Sequence, residues 1–235
     1  ICDEITQGMS KGHTNFKIKV GRSNIWMDVM PGIERDIKIL QAVRETAGKN
    51  AILMADANNG YNYNLAKLFL KETKNVELYG MEEAFAEDQM LYRRLREWMK
   101  EEQFNTLIAD GEGDASRRIE EWAFEGLIDI LQYDARDHGF FNWIETSKRI
   151  ATHGVKAAPH NYGCYYGNFM QAHLAAALGN YTLAEWDESR VDGIDTSGYS
   201  ISHGNLHVPN LPGFGLVFDN EKFTLAAKTN GWLAK

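Results

Sequence analysis

The sequence predicts an α/β fold whose parallel strands close into a barrel, and three observations carry that expectation. Short apolar runs alternate with longer amphipathic segments along the 235 residues. Polar residues that follow these runs, namely Lys19, Asp56, Glu82, Glu112, Asp134, His160 and Glu185, recur at intervals of 22 to 37 residues. A closed barrel aims the C-terminal end of every strand at one mouth, so such a series converges; an open doubly wound sheet gathers only the residues beside its switch point. At this length and 44% hydrophobic content, one large core in one barrel fits better than two ordinary domains.

In chain order, Ile1–Gly12 reads as a helix. Strands are expected at Phe16–Val20, Ala51–Ala55, Val76–Met81, Asn105–Ala109, Ile128–Tyr133, Val155–Ala158 and Tyr181–Ala184. Between them the periodicity gives helices at Ile33–Ala47, Leu65–Lys74, Gln89–Lys100, Ala115–Phe124, Phe141–His153 and Tyr165–Leu178. In the first of these, Ile33, Ile37, Ile39, Leu40 and Val43 share a face while Glu34, Arg35 and Asp36 are expected outside. The alternation requires parallel strands joined by right-handed crossovers. Seven strands are one short of the eight of a closed barrel, so a first strand is expected upstream of Ile1. Residues 1–190 are the expected barrel with the active site, and 191–235 turn to Gly/Pro-punctuated runs such as GNLHVPNLPGFGL.

A net charge of -8 offers no basic stripe for phosphates, which argues against a nucleic-acid partner. The two cysteines, Cys2 and Cys164, make no disulfide framework, and no apolar run approaches the roughly 20 residues of a membrane span. A cytoplasmic protein that meets neither membrane nor nucleic acid is the expectation.

Asp56, Glu82 and Glu112 follow three successive strands, and oxygen-only ligation suits a hard cation such as Mg²⁺. Any one of them alone reads better as an ordinary ion-pair partner; three in succession favour a metal. Lys17 and Lys19, two apart on a strand, project from one face toward the axis. Two adjacent ammonium groups repel, which is expected to lower their pKa and make one a base. Asp134 and His160 end adjacent strands, and an Asp that accepts the ring N–H of a His fixes its tautomer and raises its pKa. His153, His173 and His207 are expected to be structural.

The order FKIKVG, LMADANNG, MEEAFAED, IADGEG, LQYD, APHNYG and LAEW, followed by PGFGL, resembles the mandelate racemase subgroup of the enolase superfamily across essentially the whole chain. That resemblance implies a modified TIM barrel of the (β/α)7β type, whose first strand and N-terminal capping domain lie outside this chain, with 191–235 packing against barrel and cap. It implies Mg²⁺ on Asp56, Glu82 and Glu112, with Asn58 near metal and substrate. Lys19 is the implied base tuned by Lys17, His160 with Asp134 the acid/base opposite, and Glu185 the group that hydrogen-bonds the substrate carboxylate. The reaction it implies is α-proton abstraction through an enediolate, with dehydration of an aldonate or aldarate to a 2-keto-3-deoxy acid favoured. Racemisation or epimerisation of a 2-hydroxy acid is the alternative, and a non-catalytic binding module ranks below both. The expected partner is a small acid sugar, in a homo-oligomer. A phosphate loop read from GIDTSGYS lacks a following helix and ranks low.

Besides the first strand and cap that lie outside this chain, two departures qualify the match. Glu83-Ala84 stands where the family has Glu-Pro, and Gly139-Phe140 where it has Gly-Gly. Arg136, Asp137 and His138 precede the latter and fit either a pocket lining or a surface loop. Trp26 and Met27 likewise fit pocket or packing.

Overall fold

In the helix Val29–Ala47 (α2), Ile33, Leu40 and Val43 are buried on the predicted face, and Gly48 ends the helix at φ 80°, where a side chain would be strained. Asp36 is buried with them rather than outside, because it accepts from the Gly21 N–H at 2.9 Å and the Tyr61 hydroxyl at 2.8 Å. The computed structural model describes residues 1–21, 27–163, 165–188 and 190–231. A shorter helix, Cys2–Ser10 (α1), precedes the first strand, as expected. The helices Tyr63–Glu72 (α3) and Gln89–Glu101 (α4) start where Asn62 and Asp88 accept the Leu65 and Leu91 N–H groups. Ile119–Phe124 (α5), Phe140–Ala151 (α7) and Tyr165–Ala177 (α8) follow. The one-turn helix Ala135–His138 (α6) was not legible in the sequence.

Six strands pair in parallel and in chain order: Asn15–Lys19 (β1), Ile52–Asp56 (β2), Gly80–Glu82 (β3), Leu107–Asp110 (β4), Ile130–Leu131 (β5) and Lys156–Ala157 (β6). Their alternation separates two cores. Leu53, Met81, Ile108 and Leu131 face the helices in the larger one, while Met54, Ala109, Ile130 and Ala158 form the smaller one with Tyr79, Leu107 and Leu183. Gly80 leaves the space that Met54 fills, since a Cβ there would lie 3.1 Å from the Met54 methyl.

Contacts between strands remote in the sheet order show that the sheet curls. Gln132, after β5, donates to Glu82 on β3, Tyr79 meets Thr182, and Lys17 on β1 is ion-paired with Glu185. In an open sheet β1 and the 181–185 run would be the strands farthest apart. This is the barrel the sequence predicts.

Two strand expectations are corrected. Tyr181–Ala184 forms only a single bridge, Ala157 to Tyr181, and just beyond it side chains of α8 rather than a strand take the Glu185 and Asp187 N–H groups. Val76–Met81 begins instead as a 3-10 turn, Lys74–Val76, and Glu77 in the left-handed region at φ 53° delays β3 to Gly80. Beyond residue 190, Ile194–Asp195 (β7) pairs with Val217–Phe218 (β10), Ser200–Ser202 (β8) pairs with Asn205–His207 (β9), and Asn220–Asn230 (α9) follows. The β8–β9 turn meets the α1–β1 link, where the Gly204 N–H donates to the Gly12 carbonyl at 2.8 Å. Among the described residues no helix is long and apolar enough to cross a membrane.

Leu40, fully buried under the sheet, tests this packing. Leu40→Ala is expected to cost about 2–5 kcal/mol in denaturant unfolding. A cost below about 1 kcal/mol would mean that α2 does not seat on the barrel.

Candidate active site

Every site residue read from the sequence lies at the C-terminal mouth of the sheet, although they do not assemble there as a metal cage. The β1 pleat turns Lys17 and Lys19 inward together. The Lys17 Nζ lies 2.7 Å from Glu82 Oε1 and 3.5 Å from Asp56 Oδ2, and it also pairs with Glu185, while Lys19 pairs with Asp56. Register places Lys19 beside Asp56, and Asp56 beside Glu82.

Glu112 arrives differently. β4 ends at Asp110, which turns outward to bond with Tyr92; Gly111 at φ 126° then swings the chain so that Glu112 points inward. Its Oε1 accepts from Asn58 Nδ2 at 3.2 Å, and its Oε2 lies 2.8 Å from His160 Nε2. On the other ring nitrogen, His160 Nδ1 is 2.7 Å from Asp134 Oδ1, the adjacent-strand pair that the sequence predicts. The Asn161 N–H, just past His160, donates to Glu185 Oε2 at 2.8 Å. A cavity of about 1000 Å³ opens among these groups, lined at this end by Lys17, Lys19, Gln132, His160, Tyr162 and Glu185.

The charges are unbalanced. Asp56, Glu82, Glu83, Glu112, Asp134 and Glu185 face Lys17, Lys19 and His160, so carboxyl groups outnumber basic groups. Burial and the neighbouring acids push Glu82 up although Lys17 opposes them, and burial with the Glu112 charge pushes Glu83 up. The Lys17 ammonium is shared among three acids, of which Asp56 and Glu82 are fully buried. Lys17 itself moves opposite to the direction expected from lysine repulsion. Burial works to lower its pKa, but Glu82, Glu185 and Asp56 outweigh burial and hold it above the ordinary lysine value. Burial works to lower His160 as well, yet the adjacent Glu112, Glu185 and Asp134 carboxylates raise it to about 9.

An oxygen-only donor set with surplus carboxylate fits a hard divalent cation. Asp56 and Glu82 are fully buried, and Glu112 Oε2, although close to His160, has no well-directed hydrogen bond. Among the described residues no three acidic, Cys or His side chains gather their donors into a ready cage, because these acids are turned to Lys17, Lys19, His160 and Asn58. A cation binding there must displace those ion pairs.

Sequence reasoning missed Glu83, Gln132 and Asn161. Gln132 stands two residues from both Ile130 and Asp134, and that period of two would have placed it inward. Glu83, at φ 43°, accepts from Asn58 at 3.1 Å and Asn59 at 3.0 Å. Of the three residues before Gly139, Arg136 and Asp137 are exposed, while His138 packs against Tyr133 and Trp143 and bonds Thr146 at 2.9 Å. Met27 is exposed; Trp26 and Cys164 lie outside the described residues. His153 stacks on Phe124, and His173 and His207 bond Tyr199 and Ser202.

The profile of the family described as enolase C-terminal domain-like matches residues 2–222. The chain belongs to that family. The galacturonate dehydratase of Geobacillus sp., solved with D-galacturonate and 5-keto-4-deoxy-D-galacturonate, is 46% identical with a TM-score of 0.95 over 98% of this chain and 62% of its own. A mutant of that enzyme has been crystallised with Mg. The D-galactarolactone cycloisomerase of Agrobacterium fabrum is 27% identical over 95% of this chain and 59% of its own length. The arabinonate dehydratase of Saccharolobus solfataricus is 26% identical over 94% and 57%. This member of the enolase C-terminal domain-like family thus spans about three-fifths of the length of these relatives.

Proposed function

We propose that this chain carries the active site of an acid-sugar dehydratase, which removes the proton α to a carboxylate and expels the β-hydroxyl. The observation that carries the reading is that two candidate proton carriers, Lys19 on β1 and the Asp134–His160 pair beyond β5 and β6, stand at opposite ends of the strand order around a mouth lined with carboxylates. The 46% identity to a galacturonate dehydratase supports it and makes a hexuronate the first substrate to try, beside aldonates and aldarates.

Lys19, once deprotonated, takes the α-proton. His160, its tautomer fixed by Asp134, presents Nε2 to the mouth and delivers a proton to the departing hydroxyl. Glu185, oriented by Lys17 and the Asn161 N–H, hydrogen-bonds the substrate near the carboxylate and supports the charge that develops there on proton removal. Asp56, Glu82 and Glu112 would hold Mg²⁺, which when bound supplies Lewis-acid stabilisation of charge developing on the substrate. Racemisation or epimerisation is the second reading, since two such proton carriers also serve removal from one face and return to the other.

Incubation with D-galacturonate and an acid-sugar panel in D₂O separates the two. Dehydration is expected to give a keto-deoxy acid that reacts with semicarbazide. An epimer carrying solvent deuterium and no keto acid would replace the dehydratase reading with the epimerase one.

A further inference from the structure

Helix α8 carries two polar residues, Asn168 and Gln171, that are fully buried. They lie three apart on one face, turned to the run that ends at Glu185. Burying an amide is unfavourable unless it finds partners, so the partners indicate its use. Gln171 Oε1 accepts the Glu185 N–H at 3.0 Å and the Tyr181 hydroxyl at 2.8 Å, while its Nε2 has no partner. Asn168 pairs with the backbone of Asp187 in both directions, accepting its N–H at 2.9 Å and donating to its carbonyl at 2.7 Å. The same Asn168 oxygen accepts from Asn161 Nδ2 at 3.1 Å, and the Asn161 N–H reaches the Glu185 carboxylate. Gln171 therefore holds the Glu185 backbone and Asn168 the backbone two residues beyond, while the Asn161 side chain, tied to Asn168, seats the Asn161 backbone N–H that holds the Glu185 carboxylate.

Gly167 belongs to the same device. A Cβ there would lie 1.8 Å from Asn161 Oδ1, so only glycine lets α8 approach closely enough for Asn161 and Asn168 to meet.

We infer that Asn161, Asn168 and Gln171 are positioning residues: a buried amide clamp that substitutes for strand pairing and fixes Glu185 against Lys17 and beside His160. The inference rests on the dehydratase reading for its catalytic consequence and on geometry for the clamp itself. A purely structural role would make no distinction between Glu185 and the rest of the barrel.

The test compares Gln171→Met and Gly167→Ala in the intact protein with Val76→Ala, a buried change outside the site that serves as a stability control. Both clamp variants are expected to lower kcat for the acid sugar by at least about tenfold with KM changed by less than about threefold, because a small misplacement of a positioned group costs chemistry more than binding. Amide hydrogen exchange at Asn161 and Glu185 is expected to quicken in both, and to stay as in the wild type for Val76→Ala. Clamp variants whose kcat matches that of the control would overturn the inference, whatever the exchange shows. If the wild type turns over no acid sugar, the dehydratase reading fails by itself, and exchange decides the clamp: faster exchange at Asn161 and Glu185 upholds it, unchanged exchange removes it.

Discussion

His160→Asn is expected to lower kcat for acid-sugar dehydration by about 10²–10⁴-fold, the range for loss of a positioned general acid or base. The reason lies in the direction of the ring. Asp134 holds Nδ1 at 2.7 Å, so Nε2 faces the mouth beside Glu112 and Glu185. Asparagine keeps a polar group of similar reach but carries no proton to deliver. Steady-state kinetics with circular dichroism checks the expectation, since a variant that loses its fold says nothing about protons. Lys19→Ala is expected to fall as far by the same measure, because it removes the proposed base. Solvent exchange then separates the roles: α-proton exchange in D₂O is expected to survive in His160→Asn, through Lys19, and to vanish in the double variant. Persistent exchange in the double variant would mean that neither residue is the base.

Stripping divalent cations with a chelator is expected to reduce turnover to background, and Mg²⁺ is expected to restore it. The carboxylate surplus at the mouth gives the physical ground, since Lys17 offsets Asp56, Glu82 and Glu185 only in part. A readout independent of activity is thermal stability. A cation that binds only the folded state stabilises it by about 2.7 kcal/mol at a hundred times its dissociation constant. Glu82→Gln is expected to abolish that Mg²⁺-dependent shift together with turnover. In the absence of metal the same variant is expected to be no less stable than the wild type, because it removes one of several mutually repelling buried acids. A wild-type melting temperature indifferent to Mg²⁺ would end the metal reading of these residues.

The barrel was legible because its signals are local and repeated: an apolar run, a polar residue beyond it, an amphipathic helix. The α2, α4 and α7 periodicities gave helices within a few residues of their ends. The Asp134–His160 pair followed from two strand ends being neighbours. What stayed hidden depends on who satisfies a backbone group. Tyr181–Ala184 has the composition of a strand, but Gln171 and Asn168 take groups just beyond it, and nothing in the sequence of α8 marks those amides as buried. Charge behaviour was equally hidden. The repulsion of Lys17 by Lys19 is visible in the spacing, whereas the three acids that reverse its effect come from β2, β3 and the far end of the barrel.

The Lys17–Glu185 contact joins groups 168 residues apart in the chain. Loop-closure entropy grows only as the logarithm of that separation, but it must be met before the contact gives anything back. Sequential units such as β1–β2 and β2–β3 can assemble from nearby chain, while this join waits for the last of them. Non-local topology of this kind slows folding and leaves sheet edges uncovered in the meantime. By that measure the neighbouring strand pairs of this barrel are expected to form ahead of the join that brings Glu185 to Lys17.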